Sequence, residues 1–213
     1  MIRILIADDH AIFREGLRQV LEDDPDMVVA DEASGGQEVL DKVSKNDYDL
    51  LVLDIAMPGL NGLDTLKLLK GQKPKLRVLI LSMYPEEQYA VRAIKAGASG
   101  YITKASASEE LIEAIKKVSQ GGRYISASIA ERLLFDFEPE PEGPVHEKLS
   151  DREYQIFCMI ATGKTVSEIA GELFLSVKTV STHRVHILEK MKMKNNAELT
   201  NYAIKHNLIC MTD

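Results

Sequence analysis

The chain has 213 residues, 45% hydrophobic and 28% charged, which is an ordinary globular composition with room for one or two domains. Its net charge of −7 weighs against a uniformly basic nucleic-acid-binding body, and no apolar run approaches the about 18 residues that span a membrane, so no membrane partner is expected. The average hides an asymmetry: from Leu149 onward 8 Lys+Arg stand against 7 Asp+Glu, leaving 18 against 26 before it, as two domains with different partners would show.

The opening "MIRILIADDH" brings acids too early for a secretory signal. Cys158 and Cys210 lack metal-ligand or CxxC spacing and read as reduced thiols of a cytoplasmic protein. In chain order, "IRILIAD", "LLVLD", "RVLILS" and "SGYITK" read as buried strands, with "MVVADEA" as a more exposed one. Helical stripes lie between them. Ile12, Phe13, Gly16, Leu17, Val20 and Leu21 line the first, and Val39, Leu40 and Val43 the second. Leu63, Leu66 and Leu69 follow, then Val91 and Ile94, then Leu111, Ile112, Ile115 and Val118. The last helix opens on "SASE", a capping-box pattern with Ser106 at the N-cap and Glu109 at N3. This alternation predicts an α/β domain, a doubly wound five-stranded parallel sheet with helices on both faces.

"YISASIAERLLFDF" predicts a short helix leaving the sheet domain, and "EPEPEGPVHEK" a linker, since prolines and acids neither pack nor extend a helix. Beyond it the pattern is helix only. "SDRE" and "TVSE" are capping boxes starting helices at Ser150 and Thr165, Gly163 ends the first of these, and Ser176 caps the next. The expected division is 1–122 for the sheet domain, 123–147 for the connecting helix and linker, and 148–213 for an all-α domain.

In an open parallel sheet the ligand crevice lies beyond the C-terminal strand ends. Asp8 and Asp9 follow one strand there, and Asp54 follows "LLVL". If those strands are neighbours, three carboxylates converge and repel, and a hard divalent cation such as Mg²⁺ relieves them. A lone Asp8 or Asp9 would more simply cap the next helix; three acids at two strand ends argue against that. "RVLILS" ends in Ser82 and "SGYITK" in Lys104, each unremarkable alone. Together the crevice holds a carboxylate nucleophile, a metal site, a hydroxyl and an ammonium, the set that phosphoryl transfer needs.

"ADDH", "LLVLDIAMPGLNGL", "LS" and "AIKAGASGYITK" resemble, in that order, the receiver domain of two-component response regulators, whose fold is flavodoxin-like. The resemblance implies Asp54 as phosphoacceptor, with a sensor histidine kinase or a small phosphodonor as source. It implies Mg²⁺ held by Asp9, Asp54 and the Ala56 backbone carbonyl, with Asp8 acting through water, and phosphoryl oxygens held by Ser82 and Lys104. It also implies a switch in which Tyr101 turns inward as Ser82 moves toward the phosphoryl group. Ala105 departs from the pattern, standing where many receivers carry a cis-proline.

"VKTVSTHRVHILEKMKMK" holds Lys178, Arg184, Lys190, Lys192 and Lys194 against the single acid Glu189, and it follows "TVSEIAGELFLS" as helix, turn, helix. "LSDRE", "EIA", "LSVKTVSTH" and "ILEKM" resemble the LuxR-type helix-turn-helix, so the whole chain resembles the NarL/FixJ class. By carry-over, Ser181, Thr182 and Val185 face base edges of double-stranded DNA, while Lys178, Thr179, His183 and Arg184 contact phosphates or orient the helix. Ser167 and Ser181 stand where many members carry lysine, which places more weight on a phosphorylation-dependent homodimer spanning two half-sites. The resemblance makes the helix around Ala197 to Ile209 the family's dimer element, with simple packing against the helix-turn-helix core as the equal alternative. An aspartate-dependent phosphatase is disfavoured, because Ala56 stands where such enzymes place a second acid.

Overall fold

The structure, a computed structural model, describes residues 1–135 and 144–209. These form two compact units, Met1–Arg132 and Leu133–Asp213. Among the described residues no helix is long and apolar enough to cross a membrane.

The first unit is a five-stranded parallel sheet in the order β2-β1-β3-β4-β5. The strands are β1 (Ile2–Ala7), β2 (Met27–Ala33), β3 (Leu50–Leu53), β4 (Arg77–Ser82) and β5 (Gly100–Thr103). They alternate with α1 (Ala11–Glu22), α2 (Gly36–Lys45), α3 (Gly62–Gln72), α4 (Glu86–Lys95) and α5 (Ala107–Ser119). All four residues of β3 are buried, as are Val78 to Ser82 of β4, because parallel strands with helices on both faces have no wet side. Edge strand β2 mixes buried and half-buried positions. Ala7 lies opposite Leu53, and Ser82 opposite Thr103. This register brings the carboxyl ends of the strands to one rim, where the acids, Ser82 and Lys104 emerge.

Two local expectations change. The stripe on α1 sinks only Leu17 and Leu21 into the core, while Ile12 stays 91% exposed and Val20 40%. The sheet and α5 cover only a narrow stripe; the remainder, with Phe13, Met83 and Leu111, lines an open cavity of about 560 Å³. Ser106 does sit at the N-cap of α5, but its side chain caps nothing. Its backbone is already helical rather than extended, as a side-chain cap requires, and its hydroxyl lies 3.2 Å from that of Thr103. The Glu109 side chain lies outside what is described.

Beyond α5 the chain turns back to the sheet. Tyr101 donates its amide to the Tyr124 carbonyl and Tyr124 donates its own to Ser99, both at 3.0 Å. Then α6 (Ala127–Phe135) packs down with Ile129 fully buried, and Arg132 donates to the Glu87 carbonyl at 3.0 Å. The predicted connecting helix is therefore docked on the first unit as far as Arg132. Residues 136–143 of the expected acidic linker lie outside the described residues.

The second unit holds a 3₁₀ turn (Val145–Lys148), α7 (Asp151–Ala161), α8 (Val166–Glu172), α9 (Val177–Met191) and α10 (Asn196–Lys205). Both predicted capping boxes form reciprocally, Ser150 with Glu153 and Thr165 with Glu168, and the Ser176 hydroxyl accepts from Thr179. Gly163, at φ +91°, supplies the left-handed turn that stops α7. Buried on nearly every side, α7 packs against both α9 and α10. Lys190 of α9 reaches the Glu153 carboxylate at 2.6 and 2.8 Å. The end of the expected linker is part of this unit: His146 Nδ1 lies 3.0 Å from the Tyr202 hydroxyl.

Candidate functional site

At the rim of the sheet, Asp54 donates its amide to the Ala7 carbonyl at 2.8 Å, which holds the end of β3 beside the end of β1. The strands carrying the acids are thus neighbours, as the converging carboxylates require. The chain then turns through Gly59 at φ +71°, and Gly62 opens α3 where any Cβ would overlap the Asp54 carbonyl. That explains the second glycine of "MPGLNGL": the helix begins against the backbone of Asp54.

Asp54 is 1% exposed. Lys104, whose side chain is 4% exposed, places Nζ 2.6 Å from Asp8 Oδ2 and 2.9 Å from Asp54 Oδ2. The ring of Phe13 lies 4.7 Å from the same ammonium. Burial pushes the Asp54 carboxyl above its usual range, opposed by Lys104 and reinforced by the Asp8 charge. Burial alone would lower the Lys104 ammonium, but the Asp54 and Asp8 carboxylates outweigh it and hold it raised.

Ser82 is wholly buried and accepts from the Tyr84 amide at 3.2 Å. Tyr101, expected to turn inward during switching, is already buried, its hydroxyl donating to the Tyr84 carbonyl at 2.8 Å. Burial drives this phenol well above its ordinary range. Ser82 and Tyr101 therefore hold the two polar ends of one residue's backbone. The Lys104–Ala105 bond is trans, as are all described peptide bonds.

Asp8, Asp9, Asp54 and also His10 each place one ligand atom within 4.8 Å of the others. His10 was missed from sequence, although "ADDH" sets it directly beside the acid pair. Oδ1 of Asp54 and Oδ1 of Asp9 are buried without a hydrogen-bond partner. Orphaned carboxylate oxygens among like charges are an unmet demand that a divalent cation fills, so the residues fit one.

In the second unit, Lys178, Ser181, Thr182 and Val185 are exposed on α9, Val185 to 47%, while Thr179, His183 and Arg184 are half-buried. The buried stripe is Val180, Ile187 and Met191. Val185, which could not share that core face, instead joins the exposed hydroxyls. Arg184 donates to Asn196 Oδ1 at 2.7 Å. Burial lowers the His183 imidazole below its usual range, opposed by Glu153 and assisted by Arg152, His186 and Lys190.

A crevice of acids, lysine and hydroxyl on a doubly wound sheet, followed by a helix-turn-helix body, defines a receiver coupled to a DNA-binding output. Residues 4–116 match the family model of the response regulator receiver domain, and residues 147–203 that of bacterial regulatory proteins, luxR family. The chain is 36% identical over 209 residues to the response regulator UvrY of Escherichia coli K12, covering 98% of this chain and 96% of that one. It is 38% identical over 216 residues to the oxygen regulatory protein NreC of Staphylococcus epidermidis, covering 98% and 99%. RcsB from Salmonella enterica serovar Typhimurium, solved bound to promoter rprA in the presence of the phosphomimetic BeF₃⁻, superposes with a TM-score of 0.62 at 27% identity, covering 94% of this chain and 97% of that one. The chain belongs to the response regulators of the NarL/FixJ class, a family of DNA-binding transcription regulators rather than enzymes.

Proposed function

We propose that Asp54 is the phosphoacceptor and that its modification switches dimerisation and sequence-specific DNA binding. One observation carries this: Asp54 is a buried carboxylate with one oxygen held by Lys104 and the other unengaged. One Asp54 oxygen attacks the phosphorus of a sensor histidine kinase's phosphohistidine, forming the O–P bond as the N–P bond breaks, and the released imidazole takes a proton from water. Lys104 neutralises charge on the phosphoryl oxygens, and Ser82 donates its hydroxyl to one of them. Asp9, Asp54 and the Ala56 carbonyl would hold Mg²⁺, with Asp8 acting through water. When bound, Mg²⁺ supplies positive charge to the transferring group.

Ser82 leaves the Tyr84 amide when it turns to the phosphoryl group, and Tyr101 remains bonded to the Tyr84 carbonyl. Losing the Ser82 hold on the Tyr84 amide makes the 83–85 loop the element the switch displaces. In the second unit, Ser181, Thr182 and Val185 read base edges, while Lys178, Thr179, His183 and Arg184 set the helix on the phosphates. The protein works in the cytoplasm as a phosphorylation-dependent homodimer on a two-half-site operator. RcsB, solved on promoter DNA, supports this reading of the second unit.

The test is intact mass after mixing the full chain with Mg²⁺ and a small acyl phosphate, with Asp54→Ala alongside. One phosphoryl adduct on the wild type alone is expected. An adduct on both proteins, or on neither, overturns Asp54 as the acceptor of this donor.

A further inference from the structure

We propose that Arg152 is a positioning residue for DNA reading: it fixes the direction of α9 and so sets how well operator is told from other DNA, without touching DNA itself. The inference rests on the proposed reading of α9 and deepens it. Arg152 stands half-buried in the first turn of α7. Its Nη1 donates to Gln155 Oε1 at 2.7 Å, and its Nη2 donates to the Leu173 carbonyl at 3.2 Å. Leu173 is the C-cap of α8, and its carbonyl is among those a helix end leaves without an intrahelical donor. The chain then passes through Phe174 at φ +53° to Ser176, the N-cap of α9. The guanidinium therefore grips the turn from which α9 starts.

Gln155 supports that grip. It is 2% exposed, and its Nε2 is buried without a hydrogen-bond partner. A buried orphan donor is costly, and an apolar residue would fill the place without that cost. What the amide adds is the oxygen that holds the fork of Arg152.

The next residue holds the other end of the helix. Glu153 accepts from Lys190 Nζ at 2.6 and 2.8 Å, in the last turn of α9. The 15 residues of α9 span about 22 Å. With Lys190 as pivot, a swing of about 5° carries Ser181 and Thr182 about 1 Å and the first turn about 2 Å, which is enough to break hydrogen bonds to base edges. Attraction between charges falls off slowly with distance, so phosphate contacts tolerate the same swing. Loosening the grip thus costs base reading more than it costs binding.

The experiment selects a duplex from a random-sequence pool with the wild-type full chain in Mg²⁺ and BeF₃⁻. It then measures affinity for that duplex and for a scrambled one as salt is varied. Wild type, Arg152→Gln, Arg152→Lys and the triple variant Ser181→Ala, Thr182→Ala, Val185→Ala are compared. In both Arg152 variants the ratio of selected to scrambled affinity falls about tenfold, while scrambled binding and the salt slope hold. Lysine fails because it keeps the charge but lacks the planar fork that spans both acceptors. An unchanged ratio, or equal losses on both duplexes as partial unfolding gives, overturns the positioning role. A salt slope lower by about one in Arg152→Gln and restored in Arg152→Lys makes Arg152 a phosphate contact and overturns it too. If the triple variant keeps the wild-type ratio, or the wild type enriches no sequence, the proposed reading of α9 falls, and this inference with it.

Discussion

Lys104 stands between two buried carboxylates, and replacing it with methionine exposes what it does. Its ammonium makes ion pairs of 2.6 and 2.9 Å in a side chain 4% exposed. At an effective dielectric of about 20, a pair near 3 Å contributes about 5 to 6 kcal/mol before desolvation is subtracted. Removing one partner of such a buried pair costs about 3 to 5 kcal/mol, because the other charge is left uncompensated. In Lys104→Met, Asp8 and Asp54 face each other without the ammonium between them, and the first unit loses about that much at pH 8 without divalent ions. The loss shrinks as pH falls. Burial already raises the Asp54 carboxyl above its unfolded value, and without lysine it rises further. The folded variant therefore binds a proton the unfolded chain lacks and gains stability from its raised folded pKa down to about pH 4. Mg²⁺ at about a hundred times its dissociation constant returns about 2.7 kcal/mol. Urea unfolding of the full chain, read by hydrogen exchange on β3 and β4 peptides with chelator or Mg²⁺, measures each quantity. A loss under about 1 kcal/mol at pH 8, the scale of an exposed ion pair, refutes the reasoning, as does the absence of recovery in Mg²⁺.

In the second unit, burial works against the Glu153 carboxylate, but Lys190 and the Ser150 amide hold its pKa below the usual range. Glu153→Gln should lower stability by about 1 to 2 kcal/mol at pH 7; since the wild-type advantage fades as pH falls through the lowered pKa, the two unfolding curves should converge below about pH 4. Ile129→Ala should cost the first unit about 2 to 5 kcal/mol by denaturant unfolding, because the side chain is fully buried. Arg184→Ala should weaken DNA binding evenly across sequences and reduce the salt slope by about one, as lost phosphate contacts do; a change in base preference instead would make Arg184 a base reader.

Sequence reveals most where one physical demand dominates. The strands were legible because burial on both faces leaves unbroken apolar runs, and Asp9, Asp54 and Lys104 because charges at the ends of such runs require partners. The second unit's caps were legible because Ser150 with Glu153 and Thr165 with Glu168 close within four residues. Competition between neighbours was not legible. Ser106 carries the same pattern, but the Thr103 hydroxyl lies at hand and the backbone is already helical. The α1 stripe shows which residues are apolar, not how wide a stripe the sheet covers, so Ile12 was misplaced. Tyr124 had no readable signal, since a single bridge has no periodicity. His10 was in plain view beside Asp9, yet its place among the acids depends on where its ring points.

The return of Tyr124 to β5 has a consequence for how the molecule is divided. An outer strand of a parallel sheet offers a row of unpaired amides and carbonyls, a template for joining another chain. Here Tyr124 satisfies the Tyr101 amide and the Ser99 carbonyl, and its hydroxyl donates to Glu110 at 3.0 Å, fastening the segment to α5. Ile129 then seals the apolar surface beyond it. A fragment cut after α5, where the recognisable pattern ends, would carry a naked edge and a bared apolar surface and tend to self-associate. A cut after Arg132 preserves the seal, so the segment that looks like the start of a tether is the last piece of the sheet's own margin.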